Sequence, residues 1–186
     1  MDLAGLYYDH YQKFLGVAVD NLIFESPALD CKIQILVYAG VFEGCITFAT
    51  VGLSHYSREL GGVGEIVCVV DALEEEVPGI IFNTIKTIVL DRMELGWGIG
   101  ISGNSKVAPK FVEVTSKDCV YITNPLPFPE GFSFVDGCCE GRSSLRVYLM
   151  IFISSSEYQI FCERGGEGLE HYLWEREIDP FHVMRA

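Results

Sequence analysis

Basic residues are scarce in this chain: 13 Lys and Arg stand against 26 Asp and Glu, a formal net charge of -13 over 186 residues. Such a field repels a phosphate backbone and an anionic lipid surface. Nucleic acid and membrane are therefore poor partners, and a cationic protein is a good one. Long apolar runs are missing too. The longest spans Val147 to Ile153, far short of the roughly 20 residues needed to cross a bilayer. The opening "MDLAGLYYDHYQKF" has no basic segment, so the expectation is no signal peptide and a cytoplasmic location. Paired cysteines are absent: the seven, at 31, 45, 68, 119, 138, 139 and 162, are odd in number and hold no C-x-x-C spacing. That argues against a zinc site and a disulfide framework, and for reduced thiols. Cys45, Cys68 and Cys162 stand inside apolar runs and are expected in the core. Cys138 and Cys139 fall in a glycine-bounded loop, where a thiol is open to reaction without having a role.

What the chain does have is core-forming material. Hydrophobic residues make up 49% and charged residues 21%, so residues 1–186 read as one globular domain. Apolar residues at 3, 6, 7, 11, 14 and 15 behind Asp2 give helical spacing, with Gly16 as a stop. "CKIQILVYAG" (31–40) and "CITFATVG" (45–52) predict an antiparallel hairpin, and "EIVCVVD" (65–71) a third strand. Pro78 opens a helix whose apolar residues recur to Met93, with Gly96 placed as its C-terminal cap. Strands are expected at 119–123, 145–154 and 158–162, with turns over 124–131 and a last helix over 168–177. The run at 147–153 is apolar on both faces, as in a central strand covered by helices. The pattern is α+β: a mixed, mostly antiparallel β-sheet with helices packed on it.

Candidate catalytic residues do not assemble. Gly52-Leu53-Ser54 resembles the start of a nucleophile elbow, but G-x-S-x-G needs a glycine where Tyr56 stands. His55 is adjacent in sequence, and neighbours in an extended chain point to opposite sides. Ser54 is expected to close a turn. Gly98, Gly100 and Gly103 match G-x-G-x-x-G, but a helix precedes them and none follows, the reverse of a dinucleotide site. A flexible connection is the expectation there. His10, His55, His171 and His182 are dispersed, with no ligand partner four residues on from His10 or His171, and are expected as singletons at the surface or its boundary. No metal, cofactor or catalytic set is therefore expected, and the chain is not expected to be an enzyme. Acidic residues concentrate at Glu74, Glu75 and Glu76 and again at Glu163, Glu167, Glu170, Glu175, Glu177 and Asp179. Both groups are candidates for docking a basic partner.

The order of several short blocks resembles the suppressor of fused family. They are "TFATVGLS", the glycine-rich segment before "EIVCVV", a helix opened by proline, "GWGIGISG", "YITNPLPFPEGF", "VYLMIFIS" and a closing "EIDPF", over about Val37 to Phe181. The resemblance implies a mixed α/β fold that binds another protein and catalyses nothing, with Gly52, Leu53 and Ser54 as a motif that serves the fold. It also implies a likeness to the small bacterial members, immunity proteins or antitoxins that neutralise a toxin, often a nuclease. An adaptor that binds a peptide of some other partner is the alternative.

Overall fold

The computed structural model describes residues 2–57, 60–135 and 145–185; Cys138 and Cys139 lie outside them. The elements run α1 (Leu3–Leu15), β1 (Asp20–Phe24), β2 (Ile33–Ala39), β3 (Ile46–Val51), β4 (Gly64–Val70) and α2 (Val77–Leu90). There follow β5 (Ile99–Ser102), α3 (Pro109–Thr115), β6 (Cys119–Thr123), β7 (Phe134–Val135), β8 (Leu145–Ile153) and α4 (Ser155–Glu175). The strands form one sheet in the order β1-β2-β3-β4-β8-β6-β5, with β7 paired to β8. Every pairing is antiparallel except β4 with β8. The expected α+β architecture is what the structure has.

Alternation along the central strands sends side chains to both faces. In β8, Tyr148, Met150 and Phe152 join Ile81, Ile85 and Ile88 of α2 and Phe111 of α3 in one apolar layer. Val147, Leu149, Ile151 and Ile153 join Tyr7 and Tyr11 of α1 and Leu169 and Leu173 of α4 in the other. A strand covered on both sides has no polar face to display, which is why β8 reads as unbroken hydrophobicity.

Several expectations need correction. Residues 158–162 are helical: α4 begins at Ser155, where Ser154 and Glu157 form a reciprocal capping box, and continues through a break at Gly165 (φ 72°). Tyr158 and Phe161, partly buried, pack from this helix against the core, and its glycines split the pattern into what looks like a strand and a later helix. The presumed flexible connection contains β5, which pairs with β6 from Ile99↔Ile122 to Ser102↔Cys119. Helix α2 stops at Leu90 and is capped at Asp91, well before Gly96, because Arg92 takes a left-handed conformation (φ 51°). Cys68 is buried as expected, but Cys45 is half-buried and Cys162 exposed. His10 is in the core, where its Nε2 donates to the Phe132 carbonyl oxygen at 2.8 Å and its ring stacks on the Phe132 ring at 5.4 Å.

After α4 the chain returns to the sheet and is latched by Asp71. Its Oδ1 accepts from the Val183 amide at 3.0 Å, and its Oδ2 accepts from His182 Nδ1. Burial pushes the Asp71 carboxyl up, but the donors from His182 and Val183 outweigh it, and the carboxyl sits below its ordinary 3.8. A depressed carboxylate stabilises the fold above the unfolded value and loses that contribution as pH falls below it. Denaturant unfolding at a series of pH values from 5 downward is expected to show stability falling below about pH 3.8, with the fall reduced in Asp71→Asn.

Candidate functional site

The Gly52-Leu53-Ser54 motif forms the turn that leaves β3. Backbone pairing between β3 and β4 ends at Ala49↔Val67, and the strands part below that point. The buried Glu65 side chain fills the opening. Its Oε1 accepts from the amides of Gly52 and Ser54, both at 2.9 Å. Its Oε2 accepts from the Leu53 amide at 3.2 Å and from Thr50 Oγ1 at 2.7 Å. Thr50 Oγ1 in turn accepts the Ile66 amide at 2.8 Å, restoring a bond the ladder lost. Desolvation by burial pushes the Glu65 carboxyl up, against the pull of these donors.

Gly52 is required by this arrangement. Its φ is 123°, and a Cβ there would lie 2.7 Å from the Lys32 carbonyl oxygen. Ser54 is 3% exposed, while exposed His55 packs its ring against Tyr56. Three successive amides wrapped on one carboxylate make an internal anion nest. Its occupant belongs to the fold.

An open site lies elsewhere, where the C-terminal half of α4 crosses β6 and β8. A groove of about 450 Å³ runs between Leu149 and Ile151 of β8, Tyr121 and Thr123 of β6, and Leu173 and Trp174 of α4. Leu126 and Trp174 stand at its rim, 81% and 77% exposed. Helix α4 comes this close because residue 166 is glycine: a Cβ there would meet the Tyr121 hydroxyl at 2.5 Å.

Among the described residues Glu170 is the one carboxylate lining the groove. Its Oε1 accepts from Trp97 Nε1 at 2.6 Å, from the Tyr121 hydroxyl at 3.1 Å and from Thr123 Oγ1 at 2.5 Å. Its Oε2 has no partner among the described residues. Burial raises the Tyr121 hydroxyl above its ordinary range, and the neighbouring Glu170 charge adds to that rise, so the hydroxyl stays a donor. Apolar walls with one oriented acceptor suit recognition of an amphipathic group.

The acidic candidates divide between two places. Glu74, Glu75 and Glu76 border a recess with Lys110 and Phe111 on the α2 and α3 face, away from the groove. Glu163, Glu167, Glu175, Glu177 and Asp179 are exposed on or just after α4, and Glu170 alone points into the groove. Exposed His171 does have a neighbour four residues on, with Nε2 3.2 Å from Glu175 Oε1. No group of three His, Cys, Asp or Glu that could hold a metal occurs among the described residues. Sequence reasoning missed Trp174, Leu126 and Trp97. Trp174 was findable, since it stands four residues after Glu170 on the same helix face.

A family model described as suppressor of fused protein (SUFU) matches residues 30–186. The chain belongs to the suppressor of fused family. The match covers more than the expected 37–181 and takes in the Gly52-Leu53-Ser54 motif. No curated protein matches the chain in sequence. Among solved structures, it is similar to a SUFU homolog from Neisseria gonorrhoeae FA 1090, with a TM-score of 0.74 at 18% identity, over 100% of this chain and 96% of that one. It is also similar to a chain of the Sufu–Fu complex, with a TM-score of 0.58 at 11% identity, over 92% of this chain and 82% of that one. Drosophila Suppressor of Fused matches with a TM-score of 0.61 at 11% identity, over 99% of this chain and 49% of its own. At such identities the likeness is one of fold.

Proposed function

We propose that this suppressor of fused domain is a non-enzymatic, cytoplasmic protein-binding module that acts as an immunity protein or antitoxin against a cationic toxin, a nuclease being the best match. The observation that carries the binding role is the open apolar groove beside α4, with Trp174 and Leu126 exposed at its rim. Exposed tryptophan around a partly desolvated centre is the composition of a binding hot spot. The charge of -13 supports a basic partner, since an acidic field speeds encounter with it and competes with nucleic acid for the same surface.

Glu167, Glu175, Glu177 and Asp179 surround the end of α4 and steer the approach; Glu74, Glu75 and Glu76 contribute to the field from the other face. Co-expression with the product of the neighbouring gene tests the proposal. Rescue of growth and a purified complex whose association slows as salt is raised are the expected results. Toxicity undiminished and no complex would contradict it. The Sufu–Fu complex favours a second reading, an adaptor for a non-toxin protein, and a stable complex with a regulatory protein in place of a toxin would select it.

A further inference from the structure

The groove has a feature that its apolar walls do not explain. Three donors converge on Glu170 Oε1 and fix the carboxylate, while Oε2 is left without a partner among the described residues. Among the described residues no Lys or Arg lines the groove, and His171, which does, has its Nε2 3.2 Å from Glu175 Oε1. Arg176, close by on the chain, is held over the Tyr172 ring at 4.7 Å. The described residues therefore bring no Lys or Arg to Glu170 Oε2, which faces an open groove.

We propose that the groove seats an arginine side chain of the partner, its guanidinium on Glu170 Oε2 and against the Trp174 ring, with apolar residues on either side of that arginine filling the walls. This rests on the protein-binding reading and names the chemistry recognised. Glu170 and Trp174 lie four apart on α4, so they share a face. A carboxylate and an exposed indole side by side offer a charge-assisted hydrogen bond and a cation–π surface to one group. Arginine suits this better than lysine, because a planar, weakly hydrated guanidinium stacks on the ring while donating at its edge. With Oε1 already taken by three donors, the contact is end-on through a single oxygen. An anionic ligand is opposed by Glu170 and by the field of the whole chain. The groove's 450 Å³ holds a side chain with flanking apolar groups, and its open side lets a peptide backbone pass.

The test titrates the protein with acetyl-Leu-Arg-Leu-amide and with the same peptide carrying citrulline, which keeps the shape and removes the charge. The chain's two tryptophans both touch the site, so their fluorescence and indole N–H resonances report it directly. The arginine peptide is expected to bind with a dissociation constant on the order of 1 mM or tighter, and the citrulline peptide at least about tenfold more weakly. Glu170→Gln keeps an oxygen for the three donors and should lose the discrimination. Trp174→Ala, at an exposed position that the fold does not need, should weaken the arginine peptide about threefold or more.

Equal binding of the two peptides, no binding of either, or discrimination retained in Glu170→Gln would overturn the proposal. So would full affinity of the partner protein for both variants, and that result would leave the protein-binding reading standing. Failure of wild-type protein to bind any partner protein, with the arginine peptide still discriminated, would overturn the reading and leave the groove chemistry intact.

Discussion

Replacing Glu65 with leucine is expected to destabilise the fold by about 3 kcal/mol or more. Three amides and the Thr50 hydroxyl donate to this one buried carboxylate, and leucine would leave all of them in an apolar interior without an acceptor. A buried donor stripped of its partner costs its full desolvation, about 1–3 kcal/mol each, although relaxation of the turn recovers part. Glutamine should cost roughly half as much, because its oxygen can keep the Gly52 and Ser54 amides while its NH₂ faces Leu53. Guanidinium unfolding measures both, and hydrogen exchange at residues 52–54 reports the site: protected in the wild type, fast in Glu65→Leu. A Glu65→Leu protein within about 1 kcal/mol of wild type would show that the nest does not hold the motif.

Glu157→Gln is expected to cost about 3–5 kcal/mol. Glu157 is buried between two buried cations, with Lys117 Nζ at 3.6 Å and Arg185 Nη2 at 3.6 Å, and its Oε2 also accepts the Ser154 amide at 2.6 Å. Arg185 makes a further bond from Nη2 to the Phe152 carbonyl oxygen at 2.7 Å, tying the end of the chain to β8. Burial already pulls the Lys117 ammonium down, against the pull of Glu157. Removing the carboxylate lowers it further. A folded state that binds fewer protons than the unfolded one gains stability as pH rises, so the Glu157→Gln deficit should shrink toward alkaline pH. Adding Lys117→Met should recover part of the loss. A single-variant cost below about 1 kcal/mol, or no recovery in the double variant, would contradict this.

How far the sequence could be read depended on where the decisive contacts lie. The α1 cap at Asp2, the hairpin of β2 and β3, and the burial of β8 on both faces rest on local pattern, and all are legible. The β5 strand is not, because a glycine-rich stretch becomes a strand only when β6 and α4 lie against it. Helix α4 looks like two unlike pieces in the sequence because the glycines at 165, 166 and 168 interrupt its pattern, though Ser154 and Glu157 form a capping box visible there. The Gly52-Leu53-Ser54 amides are held by Glu65, eleven residues from Ser54, at the head of an ordinary apolar strand, and nothing in the local pattern points to that partner. Of the acidic candidates, Glu170 alone enters the groove. What singles it out is contact with Trp97, Tyr121 and Thr123, and those meet only in the folded sheet.

The central claim is that the groove beside α4 binds the partner. The most direct measurement is the affinity of the purified partner protein, as recovered by the co-expression test, for wild type, Trp174→Ala and Glu75→Lys by titration calorimetry. Trp174 is exposed and Glu75 lies on the other face, so neither change should disturb folding. The account predicts a loss of about a hundredfold for Trp174→Ala and only a small loss, shrinking with salt, for Glu75→Lys. Wild-type affinity in Trp174→Ala would contradict it.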